Sequence, residues 1–228
     1  MIRLMNKLSL AAPALVLAVA TAAQAQLSAC TSDGVPQPTA LLERFINADC
    51  ERCWSDAQTP DASAGALAID WVAPGRRGGD APLSAVATRD AEDRLTTLGK
   101  PAPQSADSHF TRRTGRGTPK LRVVHGPAVN DYIGASIEMP AGGGPWRASL
   151  LMVETLPAGT EGSPVVRNLV RNALVVDWPA QSRTPRYELR SMQIPAGAKV
   201  DRLRVIGWLE DARGGVHAIA QSRCTHGN

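Results

Sequence analysis

TALLERFINADCERCWSD, residues 39–56, joins a short apolar run to a Cys-x-x-Cys pair, Cys50-Glu51-Arg52-Cys53. Thr39–Ile46 has β-compatible ends and reads as a strand. Cys50–Ala64 reads as the start of a helix, with Asn47 and Asp49 as capping residues and Asp56 and Gln58 facing water. Downstream, ALAIDWV (66–72) is a near-continuous apolar run, the pattern of a strand buried on both faces. Pro74-Gly75 stops it, and GRRGGD (75–80) is a loop. Leu83–Leu98 carries apolar residues at 83, 86, 87, 91, 95 and 98, near a 3.6-residue period, and predicts an amphipathic helix ending at Gly99. Residues 100–118, with Pro101, Pro103, Gly115 and Gly117, read as a long loop. Leu121–Val124, entered through Thr118-Pro119, and Ile133–Met139 read as strands, so the order is β-α-β-α-β-β.

After Ala141-Gly-Gly-Gly-Pro145 the helix signals stop. Strands are expected at 147–155, 165–178 (two, or one bent), 186–192, 203–210 and 216–222, separated by Pro/Gly turns, as in a small β-sandwich or an added sheet. The expected fold class is α/β plus β. It comprises a domain over 36–140 and a β-rich region over 141–228.

The amino terminus reads as an address. Arg3 and Lys7 precede the apolar run LSLAAPALVLAVATAA (8–23), which is too short to span a bilayer and is interrupted by Pro13. AQA ends at Ala25, so residues 1–25 form a signal peptide cleaved before Gln26. The mature chain is expected in a bacterial periplasm or secreted, with no transmembrane segment. Leu27-Ser28-Ala29-Cys30 also resembles a lipobox, which would lipidate Cys30. Gln24 and Gln26 separate it from the apolar run, which favours the unlipidated form.

The full chain carries 25 basic and 21 acidic residues, a formal charge of +4. Losing Arg3 and Lys7 with the signal leaves +2, so no nucleic-acid partner is indicated. Arg112, Arg113 and Arg116, with Phe110 as the neighbouring aromatic, read as a solvated loop. With 43% hydrophobic residues, wholesale disorder is excluded. Ser149 and Ser163 have no nucleophile-elbow context. His109, His125, His217 and His226 show no pairing at metal-ligand spacing, so neither a metal nor a bound cofactor is expected. Arg167 and Arg171 read equally as sheet-edge charges and as ligand-binding ones. Trp71, Trp146, Trp178 and Trp208 read as core.

The cysteines are Cys30, Cys50, Cys53 and Cys224. An even count in an exported chain suggests disulfides. Cys50 and Cys53 are close enough to pair with each other. That leaves Cys30 for Cys224, a bridge tying the two ends of the mature chain, where loop closure stabilises most. A cysteine at a helix N-terminus is favoured as thiolate. Cys50 is thus the candidate nucleophile and Cys53 the resolving thiol.

A strand, a CxxC opening a helix, a buried strand, a helix and a strand entered through Thr-Pro together resemble a thioredoxin-like fold. More narrowly, ADCERCWSD (48–56), AIDWV (68–72), GTPKLRVVHG (117–126) and RNLVRN (167–172) resemble the motifs of the exported thioredoxin-like proteins of domain-of-unknown-function family 1223. Trp54-Ser55 stand where that family has prolines, and Ala68 where it has His. The resemblance implies a thioredoxin-like domain over 36–140, with Thr118-Pro119 as the cis-proline segment beside the CxxC and Asp70 as a proton acceptor near Cys53. It implies thiol–disulfide exchange with protein thiols or disulfides. The alternative is an inert Cys50–Cys53 bridge in a scaffold that binds an envelope protein.

Overall fold

The computed structural model describes residues 29–115, 119–180 and 183–224. Residues 1–25, read as a signal peptide, and Thr118 lie outside them. The described chain is mostly β, with two sheets and few helices. Its strands are β1 (Cys30–Thr31), β2 (Ala40–Asn47), β3 (Ala66–Ala73), β4 (Ala106–Arg112), β5 (Arg122–Val129) and β6 (Tyr132–Met139), then β7 (Trp146–Leu156), β8 (Arg167–Trp178), β9 (Arg186–Gln193), β10 (Leu203–Glu210) and β11 (Val216–Gln221). Two α-helices, α1 (Glu51–Trp54) and α2 (Arg89–Thr97), lie in the first half.

The larger sheet has the order β11-β10-β7-β8-β3-β2-β4, and the smaller one β1-β5-β6-β9. The apolar runs of β2 and β3 pair in parallel over their whole length, Ala40 opposite Ala66 through Asn47 opposite Ala73. Both are buried almost throughout, as a central parallel pair requires. Strand β8 extends the sheet by pairing with β3 in parallel, Asp70 opposite Leu169. Each sheet therefore draws strands from both sides of residue 140.

The structure departs from the sequence reading in four places. The helix expected over Cys50–Ala64 is a single turn. Asp56 then accepts from the Gln58 amide at 2.8 Å and the Thr59 amide donates to its carbonyl at 3.0 Å, so the chain turns instead of continuing. The helix over 83–98 shortens to Arg89–Thr97, preceded by a 3-10 turn at Ser84–Val86. Within the segment read as loop, β4 pairs antiparallel with β2, Leu42 opposite Phe110. It was missed because an edge strand half in water needs no apolar alternation, and ADSHFTR has little. Finally, the strands at 121–124 and 133–139 belong to the smaller sheet, not beside β2. The stretch 165–178 contains one strand, β8, with a register shift against β7 at Met152/Val153.

The two sheets pack through Val123, Ile137, Leu150, Met152, Val205 and their neighbours. The sheets approach closely at Gly207, where a Cβ would fall 2.7 Å from Val123 Cγ1 and 2.9 Å from Ile137 Cδ1. Alternate residues, including Leu151, Val153 and Ile206, face the other side with Phe45, Trp71 and Leu95 of α2. Phe45 and Trp71 stack at 6.2 Å. On this face lies a buried ionic cluster. Arg94 Nη2 donates to Glu43 Oε2 at 2.7 Å and Nη1 to Glu210 Oε2 at 2.9 Å, and Trp71 Nε1 donates to Glu43 Oε1 at 3.2 Å. The guanidinium lies 5.2 Å from the Trp208 ring centre.

Cys30 and Cys224 form the expected disulfide, 194 positions apart. Beside it His125 is 5% exposed. Burial pushes its imidazole below the ordinary value, with the Arg204 charge acting in the same direction.

Two outcomes follow. Arg94→Met leaves Glu43 and Glu210 buried without their cation and should cost about 3–5 kcal/mol in urea unfolding. Replacing all three charges by apolar residues of similar volume should recover most of that loss. As pH falls through the ordinary histidine value near 6.5, the unfolded chain takes a proton before buried His125 does. Stability should therefore be full above that value and fall below it. His125→Gln should flatten this slope between pH 7.5 and 5 in denaturant titrations.

Candidate functional site

The connection from β2 to α1 is built by its own polar residues. Asn47 Oδ1 accepts from the Asp49 amide at 2.8 Å. The Asp49 carboxylate accepts from the amides of Arg76 and Arg77 at 2.8 and 3.2 Å. This pins the GRRGGD loop against the start of the CxxC. Gly75 is required there, because a Cβ would sit 2.2 Å from Asp49 Oδ1. Cys50 and Cys53 are joined as a disulfide, and both are partly exposed.

Strand alternation sends Glu43 to the α2 face and Arg44 to the opposite face, which carries α1. The same alternation places Asp70 next to Trp71 in sequence but across the sheet from it. Asp70 has no exposure. Arg44 Nη2 donates to its Oδ2 and Arg167 Nη1 to its Oδ1, each at 2.7 Å. The Asn168 amide adds a third bond to Oδ2 at 3.0 Å. Asp70 is therefore a counter-ion with both oxygens committed, not a proton acceptor with a free one.

Arg167 links this carboxylate to the CxxC turn. Its Nη2 donates to the Trp54 carbonyl at 2.7 Å and its Nε to Ser163 Oγ at 2.8 Å. Ser163 Oγ in turn donates to the Val165 carbonyl at 2.8 Å. The guanidinium lies 4.5 Å from the Trp54 ring centre. Trp54 Nε1 donates to the Glu161 carbonyl at 2.7 Å. Burial pulls the Arg167 pKa down while Asp70 pulls it up, and a guanidinium remains charged under any such balance.

Cys53 opens on a hollow of about 260 Å³ bordered by Arg44, Asp56, Pro60, Ser108 and Arg167. A partly exposed disulfide can exchange with an incoming thiolate. Arg44 and Arg167 border its hollow together with Asp56 and Asp107. A one-turn α1 offers little macrodipole, so positive charge at this hollow comes from Arg44 and Arg167.

The structure thus brings together Cys50, Cys53 and, through Arg167, Asp70. It does not bring Pro119 to them. Pro119 borders a different hollow with Lys120, Met139, Pro140 and Trp146, before the smaller sheet. Thr118 is outside the described residues. Arg44 and Ser163 were not legible as site residues, and Arg167 was legible only as one half of an undecided Arg pair. Its partner in that pair, Arg171, is bonded instead to Glu154. The signal for Arg44 was a charge inside an apolar run, a position that has to be neutralised by something distant.

No protein-family model matches the chain, and no curated protein matches it. Among solved structures it is similar to a structural genomics target protein from Agrobacterium tumefaciens, determined by X-ray crystallography. The two share 14% identity with a TM-score of 0.46, over 85% of this chain and 96% of that one.

Arg167→Met should destabilise the fold by about 3–5 kcal/mol, since it leaves Asp70 with Arg44 as its counter-cation and takes a donor from three oxygens, Asp70 Oδ1, Ser163 Oγ and the Trp54 carbonyl. Arg167→Lys should recover only part, because one ammonium cannot reproduce the fork that serves Asp70, Ser163 and Trp54. Urea unfolding of the three proteins measures both.

Proposed function

We propose that the chain is an exported thiol–disulfide oxidoreductase acting through Cys50 and Cys53, on a thioredoxin-like arrangement of β2, α1, β3 and β4. The observation that carries this reading is the partly exposed Cys50–Cys53 bridge opening on a hollow with Arg44 and Arg167. The CxxC between two parallel strands, with an antiparallel strand on the other side of β2, supports the thioredoxin-like part. So does the partial resemblance of residues 48–56, 68–72, 117–126 and 167–172 to motifs of family 1223. Export is supported by the leader-like residues 1–25 and by the two disulfides. Among the described residues no helix is long and apolar enough to cross a membrane.

The chemistry balances in either direction. A partner dithiol reduces the bridge. One partner thiolate attacks a bridge sulfur, the Cys50–Cys53 bond breaks, and a mixed disulfide forms. The second partner thiol then displaces the mixed bond, leaving an oxidised partner and two thiols on this chain. In reverse, the Cys50 thiolate attacks a partner disulfide and Cys53 resolves the mixed bond.

A second reading has its own observation. Trp54 is fixed by Arg167 and by the Glu161 carbonyl, and such a locked turn equally suits a scaffold that binds an envelope protein without turnover. Insulin reduction with dithiothreitol separates the two. The oxidoreductase reading expects catalysis that disappears in Cys50→Ser, and a trapped mixed disulfide in Cys53→Ser. Normal folding with no catalysis by the wild-type chain overturns it in favour of the scaffold.

A further inference from the structure

The bridge between the ends of the described chain has a third donor beside it. Cys30 stands opposite His125 in the β1–β5 ladder. Cys224 follows Arg223, whose amide donates to the Thr31 carbonyl at 2.9 Å and whose carbonyl accepts from the Thr31 amide at 3.1 Å. Backbone pairing therefore positions all three residues, independently of the S–S bond. A ring nitrogen of His125 and the sulfurs of Cys30 and Cys224 lie within 4.8 Å of one another.

The histidine is prepared as a ligand. Its Nδ1 lies 3.0 Å from the Gly126 carbonyl, so the ring proton sits on Nδ1 and the lone pair on Nε2. Nε2 is buried with no hydrogen-bond partner among the described residues, in a side chain 5% exposed. An unpartnered buried acceptor costs about 1–3 kcal/mol, a cost that coordination would remove. A neutral imidazole is the form that binds metals. The Nδ1 bond to a backbone carbonyl is the usual support for a ligating imidazole.

We propose that reduction of Cys30–Cys224 opens a two-thiolate, one-imidazole site for monovalent copper, formed by Cys30, Cys224 and His125. The disulfide is the closed state. A dithiol reductant supplies two electrons and two protons, forming its own disulfide as the Cys30–Cys224 bond breaks. Copper(I) then displaces the two thiol protons to solvent, and His125 contributes its lone pair. Two thiolates and one copper(I) carry a net charge of −1, and Arg204 borders the same hollow of about 220 Å³. Soft sulfur donors select copper(I). Three donors can complete its coordination, whereas zinc takes four, and the described residues bring three together here. Sequence spacing hid this site because its donors are far apart along the chain. The inference does not depend on the activity proposed for Cys50 and Cys53.

The test uses the chain with Cys50→Ser and Cys53→Ser, leaving Cys30 and Cys224 as its cysteines. The protein is reduced anaerobically with a phosphine, desalted and titrated with copper(I) against bathocuproine disulfonate, with circular dichroism recorded throughout. One copper per reduced chain is expected and none per oxidised chain, with X-ray absorption reporting two sulfur donors and one nitrogen. Adding His125→Ala should weaken capture by more than about tenfold, the loss known for groups that merely support ligands. Should the double serine variant misfold, the comparison is made between the wild-type chain and His125→Ala, read by the nitrogen signal. The proposal is overturned by no capture, by capture unchanged in His125→Ala, by retention of zinc in preference to copper, or by loss of the fold on reducing Cys30–Cys224.

Discussion

Asp70 is a carboxylate without water, and a buried anion persists only when neighbours replace the solvation it has lost. Two guanidinia and an amide do so here. Arg44 comes from the strand beside it, but Arg167 comes from β8, nearly a hundred residues on. Neutralising Asp70 therefore requires β8 to lie beside β3. Within the larger sheet that pairing joins the CxxC strands to the β-rich half, as β6 with β9 does in the smaller one.

The same requirement is repeated on the opposite face. Glu43 and Arg44 are neighbours in sequence, and strand alternation separates them by the thickness of the sheet. Glu43 is neutralised by Arg94 of α2, which also reaches Glu210 of β10. The buried charges of the central strands thus recruit a helix on one side and a distant strand on the other. Buried pairs of this kind contribute little net stability compared with apolar packing, but a wrong arrangement leaves an uncompensated charge. Here they fix which strands meet, and through Arg167 and Trp54 they fix the turn that carries Cys50 and Cys53.

How much could be read beforehand follows from these residues. The runs 39–46 and 66–72 were legible as strands, and 66–72 as one buried on both faces, because their residues are mostly apolar. The pairing of Cys30 with Cys224 was legible because the close CxxC pair left no other partner. Strand β4 was not, because an edge strand of mixed polarity looks like a loop until β2 supplies its hydrogen bonds. The resemblance implied Asp70 as a proton acceptor, whereas the structure has both of its oxygens bonded to Arg44, Arg167 and the Asn168 amide. A carboxylate in a sequence shows its charge and not which cations will surround it. The thioredoxin-like resemblance implied Pro119 beside the CxxC, whereas β4 takes the antiparallel place next to β2 and the strand after Pro119 belongs to the smaller sheet.

The sequence by itself determined the central strands, the cysteine pairing and the run of short strands in the second half, since each depends on local pattern or on elimination among four residues. Tertiary structure alone decided the sheet order, the clamping of Asp70 and the meeting of His125 with Cys30 and Cys224. Those depend on contacts between residues distant in the chain, and local periodicity carries no information about which distant partner a buried charge or an unpaired nitrogen will find.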